Sequence, residues 1–210
     1  AFAELAAKSE RVIDENEYLK IPTDFKLKVP GVHNIRNAQA AFAVAEALGI
    51  NPSTSLRALS KFRGTWRRFE FKGEIASGAL VYDDYAHHPT EISAAIQGAR
   101  EMFPDRRLVI AFQPHLYSRT KQLLPDFARS LAQADRVLVT PIYAAREAPD
   151  PAINQQILAE ETNKVKPVAR AVESFAEAEK LLKTELKTGD LLITMGAGEA
   201  YKIGENLLAR

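Results

Sequence analysis

The chain has 210 residues, with 28 Lys and Arg against 27 Asp and Glu, so its formal net charge is +1. With 46% hydrophobic and 26% charged residues it reads as a globular chain and not a disordered one. The charge balance argues against a generic nucleic-acid binder, the lack of cysteine excludes disulfides and thiolate metal sites, and no apolar run approaches the roughly 18 residues of a membrane span.

The first segment, AFAELAAKSERV, carries Glu4, Lys8 and Glu10 where a secretory leader would need an apolar stretch. It begins without Met, as if inside a helix. A fragment of a longer protein is expected, with the cytoplasm as default location. Residues 1–20 read as a charged helix and turn, and FKLKV at 25–29 as a short alternating strand. Pro30-Gly31 makes a turn. An alanine-rich helix is predicted over 34–48, with Asn34 as its cap and Gly49 as its stop. Asn51-Pro52-Ser53 opens a short helix over roughly 53–60. So little structure makes 1–65 a poor domain by itself, and the boundary is placed near Thr65.

Beyond it, RRFEFKGEI and ALVYDD read as two strands joined near Ser77-Gly78. Then helices at 89–102, 120–132, 153–162, 173–186 and 199–208 alternate with strands at 107–112, 136–140, near Val168 and 191–195. Continuous apolar strands between amphipathic helices predict an α/β fold over 66–210: a doubly wound, mostly parallel sheet covered on both faces.

Ligands of such sheets bind beyond the carboxyl ends of the strands. Four loops predicted there are rich in reactive groups: DDYAHHPTE (83–91), QPHLYSRT (113–120), PIYAARE (141–147) and GAGE (196–199). In the first, His88 or Asp84 can cap the next helix with Pro89 at its first position. That leaves a carboxylate for ribose hydroxyls, and His87 and Tyr85 for an acceptor. A metal site on His87 and His88 is disfavoured, because adjacent side chains on one turn point apart. In the second loop His115 and Arg119 exceed what a cap needs, and a guanidinium suits a carboxylate. Gly196-Ala197-Gly198 before a helix allows close approach of an anion, although the G-x-G-x-x-G spacing fails at Tyr201. Arg146-Glu147 reads as an exposed or structural pair, with a binding role left open for Arg146. Asn34 and Asn37, beside His33, present amides that can read a base edge, and Arg67-Arg68 is either a charged strand start or a phosphate contact. No G-x-x-x-x-G-K-S/T phosphate loop and no G-x-S-x-G elbow occurs.

GVHNIRNAQAAFAVAEALGI, GTWRRFEFKGE, VYDDYAHHPTEI, FQPHLYSRTK, PIYAAREAP and TMGAGE follow in one order. Together they resemble the Mur ligase family, nearest the branch that acts on UDP-N-acetylmuramate and L-alanine. The resemblance implies that 1–65 is the end of a central ATP-binding domain and 66–210 a Rossmann-like C-terminal ligase domain. The phosphate loop and the Mg ligands would lie in the rest of the enzyme. It implies ATP-dependent phosphorylation of the muramate carboxylate, then attack of the alanine amine on the acyl phosphate. His33, Asn34, Asn37, Arg68 and Asp84 would then serve ATP. Tyr85, His87, His115, Arg119 and the turn Gly196, Ala197 and Gly198 would serve the substrates, with His87, His115 and Arg119 catalytic. Leu116 departs from members that carry Arg there and leaves the carboxylate mostly to Arg119. No metal site, nucleic acid or membrane is expected in this segment. The alternatives are a ligase that adds a tripeptide to the same muramate, a non-catalytic nucleotide-binding module, and a metal hydrolase on His87, His88 and His115.

Overall fold

A computed structural model describes residues 21–22 and 25–209, apart from the side chains of Val32 and His33. The helix expected within 1–20 lies outside the described residues. The chain divides into two compact units, one up to Gly64 and one from Thr65 on.

In the first unit, helix α1 spans Val32–Ala47 and helix α2 spans Pro52–Lys61. Helix α1 begins behind Gly31, at φ 95, so Asn34 is not its cap. Asn34 sits in the first turn and its Nδ2 donates to the Pro30 carbonyl at 2.6 Å. Gly49, at φ 75, follows the α1 C-cap Leu48, and the Asn51 side chain caps α2 by accepting from Ser53 N. Residues 25–29 form no strand. No partner strand exists for them among the described residues; Phe25 and Leu27 instead pack on a small cluster of Ile21, Ala38 and Phe42. Alternation here marks one buried side of an irregular segment.

The second unit holds strands β1 Glu70–Glu74, β2 Leu80–Asp84, β3 Arg107–Phe112, β4 Arg136–Val139, β5 Ala169–Ala171 and β6 Asp190–Met195. They form one sheet in the order β1-β2-β6-β3-β4-β5. Strand β1 runs antiparallel to β2 and every other pair is parallel. Helices α3 Pro89–Met102, α4 Tyr117–Gln122, α5 Leu124–Leu131, α6 Gln155–Val165 and α7 Phe175–Glu185 lie in the connections, and α8 Tyr201–Leu208 follows β6. Leu108, Ile110 and Phe112 of β3 point to one face, where Ile92 and Ile96 of α3, Phe127 and Leu131 of α5 and Leu158 of α6 pack. Val109 and Ala111 point to the other, beneath Ala178 and Leu182 of α7 and Ile203 and Leu207 of α8. Period-two alternation in strands apolar on both sides thus produces two covered faces: the doubly wound fold.

The single helix expected over 120–132 is two. It starts early, at Tyr117, and breaks at Leu123 because Pro125 has no N–H to donate and its ring opposes a continuous helix. At the amino ends of the strands, Arg107 grips Asp190 through Nε at 2.9 Å and Nη2 at 2.7 Å. Arg136 grips Glu185 the same way, at 3.0 Å twice. At the carboxyl ends the register sets Asp84 beside Met195, Met195 beside Phe112, and Phe112 beside Val139. The loops after β2, β6, β3 and β4 therefore rise side by side from one edge.

Candidate active-site edge

Strand β2 delivers two carboxylates to this edge, and both are buried. Asp83 Oδ2 accepts from Arg67 Nε at 2.7 Å, and Oδ1 accepts from Thr194 Oγ1 at 2.7 Å. Asp84, expected to meet ribose, is turned inward: Oδ1 accepts from Ala86 N at 2.7 Å and Oδ2 from Phe69 N at 2.8 Å. Burial pushes its carboxyl up to about 6, against those N–H bonds and the charge of Arg68. Its visible work is to brace the strand entry at Phe69.

The two histidines that follow separate. His88 caps α3: its Nδ1 accepts from Thr90 N at 3.3 Å, and the Glu91 carboxylate returns to His88 N at 3.2 Å. This is a capping box with histidine in the cap position and Pro89 just inside. Burial opposes ionisation of Glu91, but N–H bonds from His87 and His88 and the nearby cations hold its carboxyl below the usual range. His87 turns the other way. Its Nδ1 lies 3.0 Å from the Tyr85 carbonyl and its ring centre 6.0 Å from that of His115.

His115 stands on the β3 loop, stacked on Tyr143 with ring centres 5.5 Å apart and planes at 22°. The loop after β4 is sewn to it: Leu116 N donates to the Tyr143 carbonyl at 2.9 Å and Tyr143 N to the Pro114 carbonyl at 2.8 Å. Leu116 is left-handed, at φ 71, where the chain turns into α4. Glu147 holds that start by accepting from Ser118 N at 3.0 Å and from the Ser118 hydroxyl. The expected Arg146–Glu147 pair is therefore replaced by a helix-end contact, and Ser118, first among several donors, lowers the Glu147 pKa. Arg146 stays exposed. Its charge adds to burial and to the charges of Arg119 and His87 in pushing the His115 pKa down. Buried His115 Nδ1 and Arg119 Nη1 have no hydrogen-bond partner. Unpaired buried polar atoms cost free energy, and these are two of four such side-chain atoms among the described residues, the others being Ser55 Oγ and Ser77 Oγ.

The glycine turn completes the edge. Gly196, at φ 135, brings its backbone against Gln113: a Cβ there would lie 2.4 Å from the Gln113 carbonyl oxygen. At Gly198 a Cβ would lie 2.2 Å from Gln113 Oε1, which accepts from Glu199 N at 2.7 Å. Sequence reasoning left Arg67 undecided as a charged strand start. It is 3% exposed and donates to the carbonyls of Gly198 at 2.9 Å and Gly196 at 2.6 Å. Nothing in a two-arginine string signals which one is buried.

Of the residues expected to serve a nucleotide, Asn37 is exposed on α1 and Asn34 is tied to Pro30. The expected place of His33 beside the nucleotide falls outside the described residues. Arg68 is half exposed, with Glu91 4.0 Å away and Tyr85 beneath it at 5.7 Å. Among the described residues no three His, Cys, Asp or Glu side chains gather as metal ligands, and none of the described helices is long and apolar enough to cross a membrane.

A doubly wound sheet with converging loops and a glycine turn at its carboxyl edge defines a Rossmann-like ligand-binding domain. Residues 67–198 match the family described as Mur ligase, glutamate ligase domain, and the chain belongs to the Mur ligases. It is 49% identical over 185 residues to the UDP-N-acetylmuramate–L-alanine ligase of Desulfosudis oleivorans, covering 87% of this chain and 40% of that protein. The crystal structure of the UDP-N-acetylmuramate–alanine ligase of Thermotoga maritima superposes with a TM-score of 0.76 at 32% identity, over 89% of this chain and 39% of that one. A murein peptide ligase from Psychrobacter arcticus gives 0.60 at 30%, over 85% of this chain and 37% of that one. The chain thus spans about 40% of the length of the curated relatives it matches.

Proposed function

We propose that this chain is the acceptor-binding part of an ATP-dependent ligase that joins L-alanine to UDP-N-acetylmuramate, acting in the cytoplasm. Residues 1–65 would end its ATP-binding domain and 66–210 form its C-terminal ligase domain. The observation that carries this reading is the pair of unpartnered buried atoms, His115 Nδ1 and Arg119 Nη1, at the carboxyl edge of the sheet. A guanidinium takes an α-carboxylate by a planar fork. The imidazole, kept neutral by burial and neighbouring cations, is ready to accept a proton from an ammonium that must become an amine before it attacks. His87 and Tyr85 line the approach, and the Gly196–Gly198 turn brings backbone close to the same guest.

ATP, with Mg held by the rest of the enzyme, supplies the phosphoryl group that turns the muramate carboxylate into an acyl phosphate. For such a nucleotide the family resemblance assigns Arg68 and Asp84 in the second unit and His33, Asn34 and Asn37 in the first; of these, Arg68 and Asn37 are exposed. Asp84 would have to exchange a main-chain N–H for a ribose hydroxyl. The test is Arg119→Ala in the full-length ligase carrying this segment. Loss of a charge-assisted contact of about 1.5–3 kcal/mol raises KM for L-alanine by roughly ten- to hundredfold, with KM for ATP nearly unchanged. Unaltered alanine kinetics would end the reading.

A further inference from the structure

Arg67 has no part in the chemistry above, yet more of the edge converges on it than on any residue used there. Its guanidinium spends Nε on Asp83, Nη1 on the Gly198 carbonyl and Nη2 on the Gly196 carbonyl. Three aromatic rings surround it, Tyr201 at 4.8 Å, Tyr85 at 5.2 Å and Trp66 at 5.8 Å from the guanidinium carbon. Its main chain is engaged as well: the N–H donates to Glu70 Oε2 at 3.0 Å, and the carbonyl accepts from Tyr85 N at 2.7 Å. The backbone there is left-handed, at φ 54. A non-glycine residue holds that conformation only where its surroundings over-determine it.

We propose that Arg67 is a positioning residue for the amino-acid site: it fixes the Gly196–Gly198 turn and Tyr85 in the one arrangement that the acceptor meets. This rests on the ligase reading above. In a trans peptide the C=O and the following N–H point in opposite directions. With the Gly196 carbonyl drawn onto Arg67, the Ala197 N–H is aimed away from it, and that N–H finds no acceptor among the described residues. With the Gly198 carbonyl drawn the same way, the Glu199 N–H meets Gln113 Oε1. One guanidinium thus sets the direction of two loop donors, the N–H groups of Ala197 and Glu199, and holds the tyrosine beside His87. A lysine ammonium is a point charge and cannot address three directions in one plane. Asp83 neutralises the buried cation without occupying the two Nη groups.

The experiment uses the full-length ligase with Arg67→Lys, and with Asp83→Asn as a second variant that keeps the guanidinium but frees it to shift. KM for L-alanine, KM for ATP, kcat and the thermal midpoint are measured, with Arg119→Ala in parallel. Misplaced donors should raise alanine KM by roughly tenfold or more, while ATP KM stays within about twofold. Asp83→Asn should show the same split, smaller, and decides the matter if Arg67→Lys does not fold. Amide exchange at Glu199 should quicken in both variants. A merely structural arginine would lower the thermal midpoint and the active fraction and leave alanine KM and Glu199 exchange unchanged; that result overturns the proposal. If Arg119→Ala raises alanine KM and the Arg67 and Asp83 variants do not, Arg67 alone is misassigned. If Arg119→Ala has no effect while Glu199 exchange still responds to Arg67→Lys, the turn is positioned as described but the amino-acid reading fails.

Discussion

Two glycines two positions apart in one turn, Gly196 and Gly198, should fail in different ways when given a methyl group. At Gly196 the new Cβ would sit 2.4 Å from the carbonyl oxygen of Gln113 and 3.3 Å from its carbonyl carbon. That backbone cannot retreat, because Gln113 N donates to the Met195 carbonyl at 2.9 Å and the residue is buried. The φ of 135 adds left-handed strain. Strain of about 1–3 kcal/mol and overpacking of about 1–3 kcal/mol together give roughly 2–6 kcal/mol for Gly196→Ala. For a chain of this size that lowers the thermal midpoint by roughly 5–20 °C. Gly198 is not left-handed, and its Cβ would meet the tip of the Gln113 side chain at 2.2 Å and Tyr143 Cγ at 3.1 Å. Moving that tip breaks the 2.7 Å bond to Glu199 N, a loss of about 1 kcal/mol and roughly 2–4 °C. Differential scanning calorimetry of both variants separates them. Equal losses, or a fall of less than about 2 °C for Gly196→Ala, would refute the reasoning.

Two further predictions concern titration. Asp84, with its folded pKa raised to about 6 from 3.8, contributes stability that is present below 3.8 and lost as pH rises through about 6. Asp84→Asn should therefore cost more stability at pH 4 than at pH 7, and carbon NMR of the wild-type carboxyl should show its midpoint near 6; a midpoint near 4 would contradict its burial. Asp190 behaves oppositely: burial opposes ionisation, but the Arg107 fork, the Lys187 N–H and the nearby cations win and lower its pKa. Its contribution is present above the ordinary carboxylate range and is lost on acidification. Asp190→Ala leaves a half-solvated Arg107, so the cost should be about 1–3 kcal/mol, below that of a fully buried broken pair. Chemical denaturation showing no loss would mean the fork is decorative.

The order of strands and helices was legible because the strands are apolar on both faces and the helices amphipathic, a pattern that only a covered parallel sheet satisfies. The His88-Pro89 cap was legible from chemistry alone, and the structure adds Glu91 as its reciprocal partner. Three features were not. FKLKV has strand periodicity, but a strand needs a neighbour, and alternation cannot supply one. The break at Leu123 needed Pro125 to be weighed as a stop and not as an interior residue. Arg67 and Arg68 are adjacent and chemically identical in sequence. Only the left-handed turn at Arg67, with a second at Phe69 (φ 49), buries the first and leaves the second half exposed.

The two ends of the sheet divide the work in a way that follows from how each treats its polar groups. At the amino ends, Arg107, Arg136, Asp190 and Glu185 satisfy one another in bidentate forks. Such pairs have no valence left for a guest, and substitutions there should move stability alone. At the carboxyl ends, Asp83, Asp84 and Arg67 are equally committed, but what they hold is backbone: Phe69, Tyr85, Ala86 and the glycine turn. Their satisfaction leaves the next shell outward unsatisfied, with His115 Nδ1 and Arg119 Nη1 buried and unpaired. A fold violates local pairing where function asks it to, and needs rigid support immediately behind. The buried carboxylates and Arg67 form such support, since the backbone they hold leads directly into the loops of the proposed acceptor site.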